Sequence, residues 1–161
     1  MNTAKKIIII LGFLLACFSA GAQKNLNIDT VFENYGKRDG SVLIKLAKDV
    51  LEHYTKINQY KSMIIPFDRQ IADICIDAIA KDTRNGSIMM ESKKNGKTET
   101  AYYCLPKSKD SRDYEYILFT GRNKEITLIY IRGNFAPHQL EDELNELKKL
   151  FIKVNNKRIK L

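Results

Sequence analysis

The sequence is poor in the residues that carry most metal, redox and nucleophilic chemistry. Its 161 residues include two histidines, three cysteines and no tryptophan. His53 and His138 lie far apart, and neither belongs to a metal-ligand spacing such as His-x3-His. The chain also lacks a Gly-x-Ser-x-Gly elbow, a phosphate-binding glycine loop and a Cys-x-x-Cys motif. We therefore predict no catalytic set, no metal site and no cofactor.

The sequence also lacks an apolar run long enough to cross a membrane. The run from Ile7 to Phe18 has about 12 residues, whereas a spanning helix needs about 20. Two lysines precede this run, and the small residues Ala20-Gly21-Ala22 follow it. This order is typical of a secretory signal. We predict a signal peptide over residues 1–22, cleavage between Ala22 and Gln23, and export to the periplasm or the extracellular space.

The same segment has a second interpretation. Leu14-Leu15-Ala16-Cys17 is similar to a bacterial lipoprotein processing site, in which Cys17 is acylated and becomes the first mature residue. Leu15 and Phe18 fit that pattern less well than Ala20–Gln23 fits ordinary cleavage. A cysteine carrying two or more acyl chains would anchor the protein stably to a membrane. The alternative to a free exported protein is therefore a membrane-anchored lipoprotein.

Residues 23–161 have the length of a single domain with its own core. The full chain has a formal net charge of +8, and its C-terminal end is basic without any acid after Glu146. A solvated helix end with a frayed tail is one interpretation. The other is a contact patch for an anionic membrane surface, an acidic glycan or an envelope protein, formed by Lys153, Lys157, Arg158 and Lys160. Export makes nucleic acid an unexpected partner.

Two cysteines, Cys75 and Cys104, lie beyond the predicted signal peptide. An exported protein enters a compartment where disulfides form, and two cysteines permit one bridge. However, Cys75 falls on the apolar face of a predicted helix and Cys104 falls in a predicted strand. Each also fits the role of a small buried hydrophobic residue. The sequence leaves the bridge and the free thiols as alternatives.

Periodicity and turn residues predict the order helix, two strands, helix, four strands, helix. A short helix spans Asp29–Tyr35, with Asp29 as its cap and Gly36 as its end. Strands follow at 41–47 and 60–67, with a turn or short helix between them. Asp68 caps the next helix, whose predicted apolar stripe consists of Ile71, Ile74, Cys75, Ala78 and Ile79.

Two predicted hairpins form the second half of the chain. The first turns at Asn95-Gly96, the favoured pair for a type I′ turn, and the second connects its strands through "RNK". A last helix begins near Pro137, and its predicted stripe consists of Leu140, Leu144, Leu147, Leu150, Phe151 and Val154. The predicted fold class is α+β: a largely antiparallel sheet of five or six strands, two main covering helices and a short N-terminal helix.

Aromatic residues are concentrated in the predicted strands. Ordinary packing of the sheet explains them, and an exposed tyrosine face that binds a peptide or a sugar is the alternative. The residues concerned are Tyr102, Tyr103, Tyr114, Tyr116, Phe119 and Tyr130.

Several segments together are similar to a known family. They are "NLNIDTVFENYG" after an Ala-Gln signal end, "YYCLP", "YILFTG", and "ITLIYIRGNF" followed by an acidic amphipathic helix. In this element order the chain resembles a family of small exported proteins of unknown function from Bacteroides-type bacteria. The resemblance implies compartment and fold, and it assigns no activity or site residues.

Our functional prediction is an exported, non-enzymatic envelope or secreted protein that binds a partner through its sheet or its basic C-terminal end. One alternative is an unrecognised hydrolytic enzyme, which needs a concave site that brings a histidine or paired acids together. Another is a soluble inhibitor or regulator of a secreted enzyme. Such a protein needs an exposed apolar patch or a free strand edge for docking.

Overall fold

The computed structural model describes the backbone of residues 25–158 and the side chains of residues 25–152. The predicted processing sites at Cys17 and at Ala22-Gln23 lie outside these residues, as does Lys160. The backbone continues as a helix to Arg158, but the side chains of Lys153, Lys157 and Arg158 also lie outside the described part.

One antiparallel sheet of six strands forms the centre of the described domain. Its strands lie in the order β1-β2-β6-β5-β4-β3. Each hairpin therefore places consecutive strands side by side, and β6 returns to pair with β2 in the middle of the sheet. The strands are β1 (Val42–Leu46), β2 (Ile57–Pro66), β3 (Ser87–Lys94), β4 (Lys97–Cys104), β5 (Tyr114–Arg122) and β6 (Glu125–Gly133).

Helices cover both faces of this sheet, which confirms the predicted α+β class with a short N-terminal helix. They are α1 (Asn27–Tyr35), the single turn α2 (Lys48–Leu51), α3 (Arg69–Asp82) and α4 (Leu140–Arg158), with a 3-10 turn at Pro137–Gln139 before α4. The described residues contain no helix with both the length and the apolarity needed to cross a bilayer.

Alternating side chains in the strands form two separate cores. On the front face, Met63 and Leu128 pack with the apolar sides of α1 and α3. On the back face, Tyr60 and Ile131 pack with α4. Successive residues of a strand point to opposite faces of the sheet. In the central strands both sets of residues are apolar, so both faces must be covered by helices.

The start of α1 differs from the prediction. The helix begins at Asn27, so Asp29 is not its cap but lies in its first turn and accepts the Leu26 N–H at 3.2 Å. Asp82, at the end of α3, accepts the backbone N–H groups of Asn27 at 2.7 Å and Ile28 at 2.9 Å. A helix leaves its first N–H groups without partners inside the helix, and here a distant carboxylate satisfies two of them.

Helix α3 confirms the predicted cap and corrects its apolar stripe. Asp68 accepts the Ile71 N–H at 3.0 Å. Ile74 was predicted to be buried, but 38% of it is exposed, whereas Ala72 is buried. Cys75, Ala78 and Ile79 are buried as predicted, and α3 packs against α1 as well as the front core. The sequence alone does not reveal the second contact.

The two hairpin turns have the same backbone form but different residues. Asn95 and Gly96 have φ values of 52° and 74°, which agrees with the predicted I′ turn. The second turn consists of Asn123 and Lys124, with φ values of 57° and 66°. It is one residue shorter than the predicted "RNK" connection, because Arg122 belongs to β5 and pairs with Glu125.

Candidate binding groove

A groove of about 990 Å³ lies at one end of the front face. The groove lies beside the first residues of β2 and the last residues of β6, between α1 and the loop that follows β4. The volume is at the upper end of the range usual for ligand sites. The structure thus provides a concave site that lies on three central strands.

Five polar side chains of β2, β5 and β6 line the floor of the groove. Gln59, Arg132 and Glu115 are direct cross-strand neighbours, with Arg132 in the middle. Two residues further along the sheet, Lys61 lies opposite Tyr130. Residues two apart on a strand share a face, so all five side chains belong to the front face.

Lys61 is held between the sheet and α1. Its Nζ lies 3.1 Å from Asp29 Oδ1 and 4.4 Å from the centre of the Phe32 ring. Only 14% of the Lys61 side chain is exposed, compared with 41% of Asp29. The cation is therefore positioned by a carboxylate and an aromatic face, both from α1.

A second ion pair fixes the other end of the floor. Arg132 Nε donates to Asp113 Oδ2 at 3.0 Å, and Asn58 Nδ2 donates to Asp113 Oδ1 at 3.0 Å. Both oxygens of Asp113 are thus engaged. The terminal nitrogens of Arg132 have no hydrogen-bond partner within the described residues, and they remain available to a ligand.

Tyr130 and Glu115 form the third polar contact. The Tyr130 hydroxyl donates to Glu115 Oε2 at 2.7 Å. Burial raises the pKa of Tyr130 well above its usual value, and the hydrogen bond to the carboxylate raises it further. The hydroxyl therefore stays protonated and directed at Glu115, while the second Glu115 oxygen is left without a partner in the described structure.

The hydrolytic alternative requires a concave site with a histidine or paired acids, and the groove is lined by acids but by neither histidine. His53 and His138 are both exposed and neither lines the groove. Among the side chains of residues 25–152, no group of three or more His, Cys, Asp or Glu is arranged to hold a metal ion. The groove thus offers charged, amide and hydroxyl groups for binding, with no histidine among its described lining residues.

Cys75 and Cys104 are both free thiols, and the structure does not bring them together. Cys75 belongs to the front core and Cys104 to the back core, so the sheet separates them. Burial raises the pKa of both thiols, that of Cys75 from its usual 9.0 to about 12. The structure therefore agrees with the second interpretation from the sequence, in which each cysteine is a small buried hydrophobic residue.

The strand aromatics pack inside the domain. Tyr103, Tyr116, Phe119 and Tyr130 are buried, and only Tyr102 and Tyr114 are half-buried. The sheet therefore does not present the exposed tyrosine face that was considered for a peptide or a sugar.

The edge strand β3 is one place where a regulator or an inhibitor could dock by a free strand edge. Ile88 and Met90 are 61% and 42% exposed. However, two register shifts interrupt the pairing of β3 with β4, and Glu91, Lys93 and Lys94 occupy its second half. Bulges and charges are the usual protections of a sheet edge against added strands. The edge is therefore a poor docking surface.

Of the floor residues, the sequence singled out Tyr130 alone, as one of the strand aromatics. A signal does exist in β2, where Gln59 and Lys61 precede Met63 and Ile65 on the same face. In β6, Arg132 likewise follows Leu128 and Tyr130. A face that changes from apolar to polar along a central strand marks the point where the covering helix ends. Recognising it requires the register, which the sequence does not show.

The fold is α+β, and a polar groove lies at one end of the front face of its sheet. The chain belongs to a family of unknown function, DUF6108, which it matches over residues 15–144. This confirms the predicted relation to an uncharacterised family.

Two further comparisons assign no activity. No curated protein matches the chain. A solved structure that is similar is that of PA94, a protein of unknown function and candidate regulator from Pseudomonas aeruginosa. The sequence identity is 12%, the match covers 71% of this chain and 81% of that one, and the TM-score is 0.35. Similarity at this level carries no argument about function.

Proposed function

We propose that this is an exported, non-enzymatic envelope or secreted protein that binds a small polar partner in the groove on its front face. The groove supports the binding part of this proposal. The signal-like residues 1–22 and the resemblance to small exported proteins support the export part. A free periplasmic or secreted form is proposed first, and a lipoprotein acylated at Cys17 is the alternative.

One observation carries the binding role: the floor combines prearranged and unused hydrogen-bonding groups. Lys61, Arg132 and Tyr130 are each fixed by one protein partner. Gln59, which lies beside Arg132, has no side-chain hydrogen bond in the described structure. Fixed side chains lose little conformational entropy when a ligand binds, which favours affinity.

The test of the binding role is the melting temperature of the protein in the presence of a low-mass fraction from its host's envelope. A ligand that binds only the folded state stabilises it by about 2.7 kcal/mol at a concentration of 100 times its Kd. We expect the fraction to raise the melting temperature of the wild type by several degrees.

Two glutamine variants assign that effect to the groove. Gln59→Ala removes a floor side chain that supports no other residue, so it should reduce the shift measurably. Gln70→Ala is the matched control, because Gln70 is exposed on α3 outside the groove. An equal shift in Gln59→Ala, or no shift in the wild type, would contradict binding in the groove.

Export is tested by the intact mass of the protein from soluble and membrane fractions of its host. A soluble species that starts at Gln23 agrees with the proposal, and a membrane species that starts at acylated Cys17 agrees with the lipoprotein alternative. A full-length species in the cytoplasmic fraction would contradict both.

A further inference from the structure

Resting on the proposed binding function, we infer that the ligand of the groove is a neutral molecule rich in hydroxyl groups, which is the chemistry of a sugar. The inference comes from the balance of charge in the groove, from the hydrogen-bonding groups that remain unused, and from the strands that form its floor.

The lining has no excess of positive charge for an anion. Basic side chains are slightly outnumbered by acidic ones, and one further acid, Asp113, adjoins Arg132. A polyanionic ligand would gain little from a surface with this balance, since complementarity requires opposite potentials. The charged residues that line the groove are Lys61, Lys107 and Arg132 against Asp29, Glu33, Asp82 and Glu115.

The acids that surround the groove are largely engaged by the protein itself. The two oxygens of Asp29 accept from Lys61 and from the Leu26 N–H. The two oxygens of Asp82 accept from the first turn of α1. A cationic ligand would have to displace these contacts or depend on Glu33 and on Oε1 of Glu115, which would accept from neutral hydroxyl groups as well.

The unused groups form a row of donors and acceptors. The Gln59 amide offers both, the Arg132 terminal nitrogens donate, and Glu115 Oε1 accepts. Neighbouring strands are about 4.8 Å apart, so the row spans about 10 Å. A hydroxyl group both donates and accepts, and adjacent hydroxyls match the planar forks of amide, guanidinium and carboxylate groups. A polyhydroxylated ring satisfies such a row without adding charge.

A polypeptide is less suited to this floor. Strand addition needs a strand with unpaired backbone groups. The floor consists of β2, β5 and β6, none of which is an edge strand, although β2 pairs with β1 only as far as Tyr60. A peptide lying across the floor would find no continuous strand edge to join, so most of its amide groups would depend on the same few side chains.

The test is an NMR titration of the ¹⁵N-labelled protein with the neutral sugars maltotetraose, cellotetraose and mannotetraose, and separately with tetragalacturonate. We expect saturable shifts of the amides around Gln59, Arg132 and Glu115 with at least one neutral sugar. Gln59→Ala should weaken that binding by about threefold to tenfold, the loss usual for one or two hydrogen bonds. Gln70→Ala should bind like the wild type.

Two results would overturn the inference while leaving the proposed function testable. Tighter binding of tetragalacturonate that salt abolishes would show that the groove prefers an anion. If none of the three neutral sugars shifted the amide resonances around the groove, this ligand class would also be excluded. In either case a melting-temperature shift that depends on Gln59 would still support a binding groove, whereas its loss would remove the proposed function itself.

Discussion

Asp82 joins the last turn of α3 to the first turn of α1 through three hydrogen bonds. It accepts the N–H groups of Asn27 and Ile28 and the Asn27 side-chain amide. Its negative charge also lies at the positive end of the α1 dipole. At the scale of single residues, this side chain therefore stabilises both the cap of one helix and its contact with another.

Replacing Asp82 should destabilise the fold measurably. We expect Asp82→Ala to lower the free energy of unfolding by about 2 kcal/mol, the upper range for loss of a helix cap, and Asp82→Asn to lower it by less. Urea unfolding measures both. Asp39→Ala is the control, because Asp39 is exposed and should change stability by less than about 0.5 kcal/mol. Equal stability of Asp82→Ala and the control would contradict the assigned role.

The two buried thiols should be unreactive in the folded protein. Burial raises the pKa of Cys75 to about 12, and the thiolate is the form that reacts. We expect iodoacetamide at neutral pH to modify neither Cys75 nor Cys104 until urea unfolds the chain, after which both react. Intact mass measures the additions. A loss of two daltons that reductant reverses would instead show a bridge between them.

At the scale of elements, the second hairpin places Lys124 in a backbone region that favours glycine. Its φ is 66°, and an L-residue with a side chain is strained there by about 1 kcal/mol. The backbone carbonyl of Lys124 also accepts the Phe67 N–H at 2.8 Å, a bond that does not require its side chain.

We therefore expect Lys124→Gly to raise the free energy of unfolding by up to about 0.5 kcal/mol, because relief of the strain exceeds the added flexibility of the unfolded chain. Gly96→Lys, the reverse change in the first hairpin, should lower it. Thermal unfolding of the two variants measures the signs. A destabilised Lys124→Gly would show that the side chain contributes contacts that outweigh the strain.

The contact with an anionic membrane that the sequence left open depends on the basic C-terminal end of the chain. Replacing Lys153, Lys157, Arg158 and Lys160 with glutamine removes four charges, each worth about 1 kcal/mol near an anionic surface. We expect the wild type to sediment with phosphatidylglycerol vesicles in low salt and the variant to remain in solution. If the variant bound phosphatidylglycerol vesicles as the wild type does, the C-terminal end would not have this role. The same would follow if the wild type bound phosphatidylcholine vesicles equally well.

Local signals predicted the elements well, and contacts between elements account for what they missed. Asp68 and Asn95-Gly96 act within three residues of themselves, so their roles could be read from the sequence. Asp82 caps a helix that lies more than 50 residues earlier, and the groove row depends on the register of β2 and β6. Both require the arrangement of the whole sheet, which no local pattern contains.

At the scale of the whole molecule, burial of weak acids makes the fold sensitive to alkali. Besides Cys75, burial raises the pKa of Cys104 and of Tyr60, Tyr103, Tyr116 and Tyr130. As the pH rises, such groups ionise first in the unfolded chain. The unfolded state then binds fewer protons than the folded state, so stability falls with increasing pH.

We expect the free energy of unfolding to decrease above pH 9, with Cys75 alone contributing up to about 1.4 kcal/mol per pH unit between about pH 9 and pH 12. Cys75→Ala should therefore show a shallower decrease. Urea unfolding from pH 7 to pH 11 measures both slopes. Expressing each free energy relative to its value at pH 7 removes the stability that Cys75→Ala loses at every pH through poorer packing. Parallel curves would contradict the contribution of Cys75.

Asn25 and Leu26 border the groove, and they follow the predicted processing sites closely in the chain. A chain spans at most about 3.5 Å per residue, so eight residues from Cys17 reach no further than about 28 Å. Acylation at Cys17 would tether the groove within a thin layer beside the bilayer, where it meets only molecules attached to that surface. Cleavage after Ala22 would let it search the entire compartment. A difference of a few residues in processing therefore selects which population of molecules the protein encounters.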